Sequence, residues 1–323
     1  MTPSTTSAAA TRGALQRRLR AYSALIALAA ICIVFGVLSP DGFATLGNAA
    51  NVLRQISFLV LVAVGATFVM SVSEYDLSVG ATASLGGVLA AKLAVAGVGV
   101  PAQLAITLAA GFGVGVFNGL VVTRFRVLSF ITTLATGTLI GGAIFWITDG
   151  ATVFENIPDA FGVLGRGEWL SLSYPAWIML ATAAGAAFTM RQTVFGRQLQ
   201  AIGGNTQAAF LAGIHVARYK TLAFGLCAAL SALAGLLLAS RLGSAQPTGG
   251  NALFLPAYAA VFLGVAASRE GVPNVGGALV GAAILGVLAN GLTILNSPTY
   301  LQDMLTGAIV IGAVIFQQIG RER

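Results

Sequence analysis

The chain has 323 residues, of which 57% are apolar and only 8% charged, and its formal net charge is +7. So few polar side chains cannot coat a water-soluble globule of this length, which excludes a soluble enzyme or binding domain and leaves an integral membrane protein. The basic excess does not describe a nucleic-acid surface, because the arginines are scattered among apolar runs with no polar face to meet a phosphate backbone.

Residues 1–20 read as a basic tail ending in RGALQRRLR, and 21–323 as a transmembrane domain. The first apolar run, 21–39, imitates the start of a secretory signal, but it exceeds the usual h-region of about 7–15 residues and reads as a retained anchor. Further runs suited to a bilayer core of about 30 Å lie at 53–73, 78–97, 102–122, 128–148, 174–190, 221–239, 256–268, 275–294 and 299–319. The expectation is an all-α polytopic bundle of about ten spans. The runs at 53–73 and 78–97 nearly fuse, and 256–268 is too short to cross unaided.

Charge orients these spans. With the N-terminus inside, Arg12, Arg17, Arg18, Arg20, Arg124, Arg126, Arg191, Arg197, Arg218, Lys220, Arg269, Arg321 and Arg323 fall on the cytoplasmic side. Arg54, Lys92, Arg166 and Arg241 fall elsewhere. The segment Asp149–Ser173 carries Asp149, Glu155, Asp159 and Glu168 against Arg166 and reads as external. Both termini are then expected in the cytoplasm.

An internal likeness accompanies this topology. Asn118-Gly119-Leu120 matches Asn290-Gly291-Leu292, and LATGTLIGGAIF (134–145) resembles MLTGAIVIGAVIF (304–316). The two copies run in opposite directions, as in an inverted repeat.

Motifs for chemistry on this chain are missing. Neither lysine, Lys92 or Lys220, follows a glycine, so no GxxxxGK[ST] loop is present to hold ATP. GVGVPA (97–102) joins two spans without a preceding strand and reads as a turn. The single histidine, His215, reads as a solvated loop side chain, and Cys32 and Cys227 as small core residues, so no metal site is expected. No paired carboxylates support a membrane enzyme.

One polar, basic island, Gly196–Lys220, stands among the apolar runs, within a cytoplasmic segment 191–220. Asn205 or Thr206 can cap a helix there, Gln207–Ala212 favour it, and Gly213 supplies a left-handed stop; Gly203 and Gly204 permit a tight turn before it. Ala208, Ala209 and Ala212 would form a small-residue face for a partner's cleft. The competing reading rests the helix on lipid headgroups, but Phe210 and Leu211 alone make a poor apolar complement.

Elsewhere, Asp76 and Glu74 read either as a solute or gate contact or, for Asp76, as a cap on the third span. Asn118 and Asn290 either bond neighbouring helices or face a passage. The expected corridor joins Asn118, Thr133, Thr136, Asn290 and Thr306, with Phe130 as an apolar gate.

GRQLQAIGGNTQAAFLAGI (196–214), YDLSVGATASLGG (75–87), FNGLVVTRFRVLSFITTLATGTLIGGAIF (117–145) and VGGALVGAAILGVLANGL (275–292) resemble, in order, the marked stretches of the ribose/xylose-type ABC importer permeases. The resemblance implies a permease dimer, of identical chains or with a paralogue, in a bacterial inner membrane. It also implies an ATPase pair holding ATP and Mg below, and a solute-binding protein above that delivers a monosaccharide or related solute. The coupling residues would be Arg197, Gly203, Gly204, Asn205, Ala208, Ala209 and Gly213. The chain departs from the family at Ser73-Glu74-Tyr75, at Ser129 before Phe130, and in VAASREGVPNVGG (265–277). The alternative is an ion-gradient transporter with Asp76 as the coupled carboxylate.

Overall fold

A computed structural model describes residues 23–268 and 271–321, with side chains through 315. The basic tail 1–20, Arg269 and Arg323 lie outside the described residues, as does the side chain of Arg321.

The helices in chain order are α1 (Ser23–Leu38), α2 (Pro40–Phe43), α3 (Leu46–Met70), α4 (Val79–Val95), α5 (Val100–Phe125), α6 (Ser129–Thr148) and α7 (Val163–Arg166). After a two-residue hairpin of β1 (Glu168–Trp169) and β2 (Leu172–Ser173) come α8 (Tyr174–Gln192), α9 (Val194–Gly204), α10 (Thr206–Leu211), α11 (Val216–Leu242), α12 (Phe254–Ala266), α13 (Val275–Ile294) and α14 (Thr299–Arg321). Every expected span has its helix. Of these, α3, α5, α6, α11 and α13 are long and apolar enough to cross a membrane, while α1, α4 and α12 are shorter apolar helices and α14 is apolar over Thr299–Ile315.

Boundaries moved where polar residues hid helix. The run expected from 53 begins at Leu46, because Thr45 caps it by accepting from Asn48 N–H (3.1 Å) and the first turns carry Asn48, Asn51 and Arg54. Such residues suit the end of a span, where side chains leave the apolar core.

The inverted repeat is visible in the helix order. Helices α3, α4, α5 and α6 begin at Leu46, Val79, Val100 and Ser129; their counterparts α11, α12, α13 and α14 begin at Val216, Phe254, Val275 and Thr299. α3 starts beside the 149–173 segment, where Arg54 pairs with Glu168, and ends beside α9, where Ser71 meets Gly203. α11 runs the other way. Its Lys220 pairs with Glu74 after the end of α3, and its Ser240 Oγ accepts from Gly165 N–H (2.8 Å) in the 149–173 segment. One surface is thus the loop face and the opposite one, with Arg191, Arg197 and Lys220, the basic face.

Helix α11 sits at the centre, packed on α3, α4 and α5. A Cβ added to Gly86 or Gly235 would run into the backbone of Ala232 or Ala83, and one on Gly115 into that of Phe224. Without a hydrophobic drive between helices in lipid, such backbone approach supplies the van der Waals contact that holds them. By contrast α6 leaves a broad apolar face outward, with Phe130, Leu134, Leu139 and Trp146 exposed.

Gly235→Leu should therefore lower the thermal stability of the purified protein by about 1–3 kcal/mol through overpacking. Gly113→Leu, where an added Cβ meets nothing within 4 Å, should melt with the wild type. A melting series on both variants checks this, and equal melting of the two would contradict the packing assignment.

Candidate functional site

Between α3 and α4 the chain leaves helical geometry from Ser71 to Ser78, yet Val72, Asp76 and Ser78 are completely buried. Ser73 takes a left-handed conformation (φ 57°), which turns the chain out of the helix. Irregular backbone inside a membrane protein must find partners for its polar groups. Here three successive N–H groups each find a side-chain hydroxyl from another helix. Tyr75 N–H donates to Ser129 Oγ (3.3 Å), Asp76 N–H to Tyr258 Oη (2.8 Å), and Leu77 N–H to Thr133 Oγ1 (2.9 Å). Tyr258 Oη in turn donates to the Asp76 carbonyl (2.9 Å).

The side chains extend the cluster. Asp76 Oδ1 accepts from Ser78 N–H (2.9 Å) and Ser78 Oγ (2.5 Å), and Asn118 Nδ2 donates to the same Ser78 oxygen (3.0 Å). Asp76 thus shapes the turn entering α4, whose N-cap residue is Ser78. Asp76 Oδ2 and Asn118 Oδ1 are buried and have no hydrogen-bond partner among the described residues.

A second interruption, from Gly243 to Leu253, reaches the start of α4, directly after the first. It leaves the loop face through a backbone bridge between Val153 and Ala245, then descends until Gly250 N–H donates to Ser84 Oγ (2.9 Å). Helix α12 starts at this depth, with Phe254 against Gly80. The short run at 256–268 is explained: the preceding irregular segment covers the first part of the crossing, and α12 needs only the remainder. Transporter sites are commonly built at discontinuous helices of this kind.

The basic island folds into α9 and α10. Asn205 Oδ1 accepts from Ala208 N–H (2.9 Å) to cap α10, and Gly213 (φ 82°) provides the left-handed stop. Gly203 is not part of a turn. It is helical, and its missing side chain lets α9 press on the Ser71 backbone, while Ser73 Oγ donates to the Gly203 carbonyl (3.0 Å). Lys220 pairs with Glu74 in a largely buried contact, so the island is fastened to the first interruption at Gly203 and again at its Lys220 end. The expected small-residue face is split: Ala208 and Ala212 are exposed, but Ala209 is buried and holds α10 to the bundle. Phe210 and Leu211 are 65% and 76% exposed instead, beside exposed Gly204, Asn205 and Gly213; Arg197 is exposed on α9.

Only part of the expected corridor converges. Asn118 and Thr133 join the Asp76 cluster, and Thr136 is buried three residues further along α6. Asn290 instead exchanges amide hydrogen bonds with Asn48 on α3 (2.9 and 3.0 Å), because α13 lies against the start of that helix. Thr306 donates to Gln302 within α14, and Phe130 is 56% exposed on the outer side of α6. Sequence reasoning missed Tyr258, Ser78, Ser84 and Ser129. Their signal was a hydroxyl in an apolar run, which becomes informative only when an irregular neighbour needs it.

Tyr258→Phe removes one group that both accepts from and donates to the Asp76 peptide, leaving two buried backbone groups unpaired. The variant should lose about 1–3 kcal/mol per group in thermal unfolding. Wild-type melting would show that the phenol does not hold the interruption.

Residues 48–314 match the family described as branched-chain amino acid transport system / permease component. The chain is 37% identical over 300 residues to the ribose import permease protein of Escherichia coli, covering 92% of this chain and 93% of the relative. It is 35% identical over 294 residues to the L-arabinose ABC transporter permease protein of Azospirillum brasilense, covering 90% and 86%. Against the autoinducer 2 import system permease protein of Photorhabdus luminescens it is 32% identical over 294 residues, covering 90% and 88%. No solved structure matches the chain. A family match across nearly all the described helices, together with the bundle and its inverted repeat, shows that this chain belongs to the branched-chain amino acid transport system / permease component family, as a multi-pass permease of the bacterial inner membrane.

Proposed function

We propose that the chain is the membrane-spanning subunit of an ATP-driven importer for a monosaccharide or a related small polar solute. The carrying observation is the direct seat of α9 on the α3–α4 interruption, through Gly203 against Ser71, Ser73 to the Gly203 carbonyl, and Lys220 to Glu74. A separate ATPase, holding ATP and Mg, docks on the exposed surface of α9 and α10, in segment 191–220. The residues that meet it are Gly204, Asn205, Ala208, Phe210, Leu211 and Gly213, while Arg197 lies at the edge of that surface, its guanidinium lining a cavity beside α8. Gly203 and Ala209 act from behind, seating the segment on the bundle. The basic face is cytoplasmic, with both termini on it, and the loop face receives a solute-binding protein. The relatives, permease proteins for ribose, L-arabinose and autoinducer 2, support a polyhydroxylated small solute.

Rigid-body motion of α9 would then reach the interruption and, through Tyr258, Thr133 and Asn118, shift α12, α6 and α5 together. The apolar outer face of α6, with Phe130, supports assembly with a second permease chain, where a transient corridor could open between copies. Asn290 and Thr306 enter this reading as helix-bonding residues. A second reading has its own observation: the buried, unpaired oxygen of Asp76 suits an ion-gradient transporter.

Two experiments separate and test these. Proteoliposomes of the chain with its ATPase and binding protein should take up solute with ATP and remain idle under an ion gradient alone; gradient-driven uptake by the lone chain would overturn the proposal. Gly204→Glu adds a charge where a Cβ meets nothing within 4 Å, so it spares the fold. It should abolish ATPase copurification or uncouple hydrolysis from uptake at least about tenfold, as expected for roughly 1.4 kcal/mol or more of lost contact. Unchanged copurification and uptake would remove α10 from the docking surface.

A further inference from the structure

A cavity of about 630 Å³ opens at the basic face, between the first turn of α1, the end of α8, the start of α9 and the α12–α13 connection. Its polar side carries Arg191 from the last turn of α8 and Arg197 from the first turn of α9, with Gln200, Ser268 and Asn274. Its other side is apolar, from Leu25, Ala187, Met190 and Val280. Arg191 and Arg197 have no carboxylate partner among the described residues; Arg197 Nη1 donates only to the Gln192 carbonyl, at 3.4 Å.

We infer that this cavity binds the headgroup of an anionic phospholipid, the two guanidinium groups holding its phosphate and the apolar wall accepting the upper part of an acyl chain. Size fits, since ligand pockets run about 300–1,000 Å³. Position fits as well: the cavity lies where four apolar helices end together, which is where a headgroup meets a membrane protein. Charge selects the anion. Guanidinium pairs are suited to phosphate geometry, and basic pockets between membrane helices bind anionic headgroups. Inorganic phosphate could share the arginines but has no use for the apolar wall, and an acidic segment of a partner protein would not need its depth. The inference does not depend on the transport reading. Its consequence is that a lipid would tie α9 to α1, α8 and α13, steadying the element that presses on the first interruption.

The test uses the full chain in nanodiscs of phosphatidylglycerol and phosphatidylethanolamine, with retained lipid quantified by mass spectrometry after transfer to detergent. The wild type should retain phosphatidylglycerol preferentially. Arg191→Gln with Arg197→Gln should cut that preference by about fivefold per arginine, the factor that corresponds to ~1 kcal/mol per basic group. Arg191→Lys with Arg197→Lys should keep most of it, and millimolar inorganic phosphate should leave it in place. Should the glutamine pair not fold, Val280→Trp fills the apolar side with both charges intact and should expel the lipid equally. The inference is overturned if Arg124→Gln with Arg126→Gln, on another connection, reduces retention as much, since the effect would then be diffuse. Displacement by phosphate, or unchanged retention in both the glutamine pair and Val280→Trp, also overturns it.

Discussion

Burying irregular backbone is the constraint around which this bundle is organised. A helix satisfies its own amides, but the stretch Ser71–Ser78 cannot, and in an apolar interior each unpaired group costs about 1–3 kcal/mol. The protein answers with hydroxyls from outside the segment: Ser129 and Thr133 on α6, and Tyr258 on α12. Because those donors and acceptors sit on different helices, the interruption becomes the junction through which α3, α4, α6 and α12 are registered.

Close packing makes the junction possible. Hydroxyl reach is short, so the helices must stand near one another, and the glycines along α4, α5 and α11 permit that approach. The same device operates at the basic face, where Gly203 brings α9 onto Ser71. Among its 41 glycines, Gly86, Gly115, Gly203 and Gly235 mark where backbones touch.

The two interruptions also give a physical form to the inverted repeat. One lies between α3 and α4, the other between α11 and α12, and both border the start of α4, on which Gly250 and Phe254 pack. Rigid helices on either side of a short irregular junction whose backbone N–H groups are all bonded can tilt as units while the junction absorbs the change, which is the mechanical need of any passage that opens to opposite sides in turn.

Composition alone determined the class, because 57% apolar and 8% charged residues leave no other solvent than lipid. Apolar runs located a helix for each of the ten expected spans among the described residues, and the Asn118 and Asn290 motifs disclosed the repeat, since both signals are local or depend only on order along the chain. The cap at Asn205 and the stop at Gly213 were equally legible, being fixed by neighbours in sequence. Only the tertiary structure decided that Asn118 meets Ser78 whereas Asn290 meets Asn48, that Ala209 turns inward, and that Gly203 serves close packing. It alone revealed Tyr258. A hydrogen bond between residues 182 positions apart depends on how helices lie beside one another, and the side chain that can make it looks, in sequence, like any other aromatic in an apolar run.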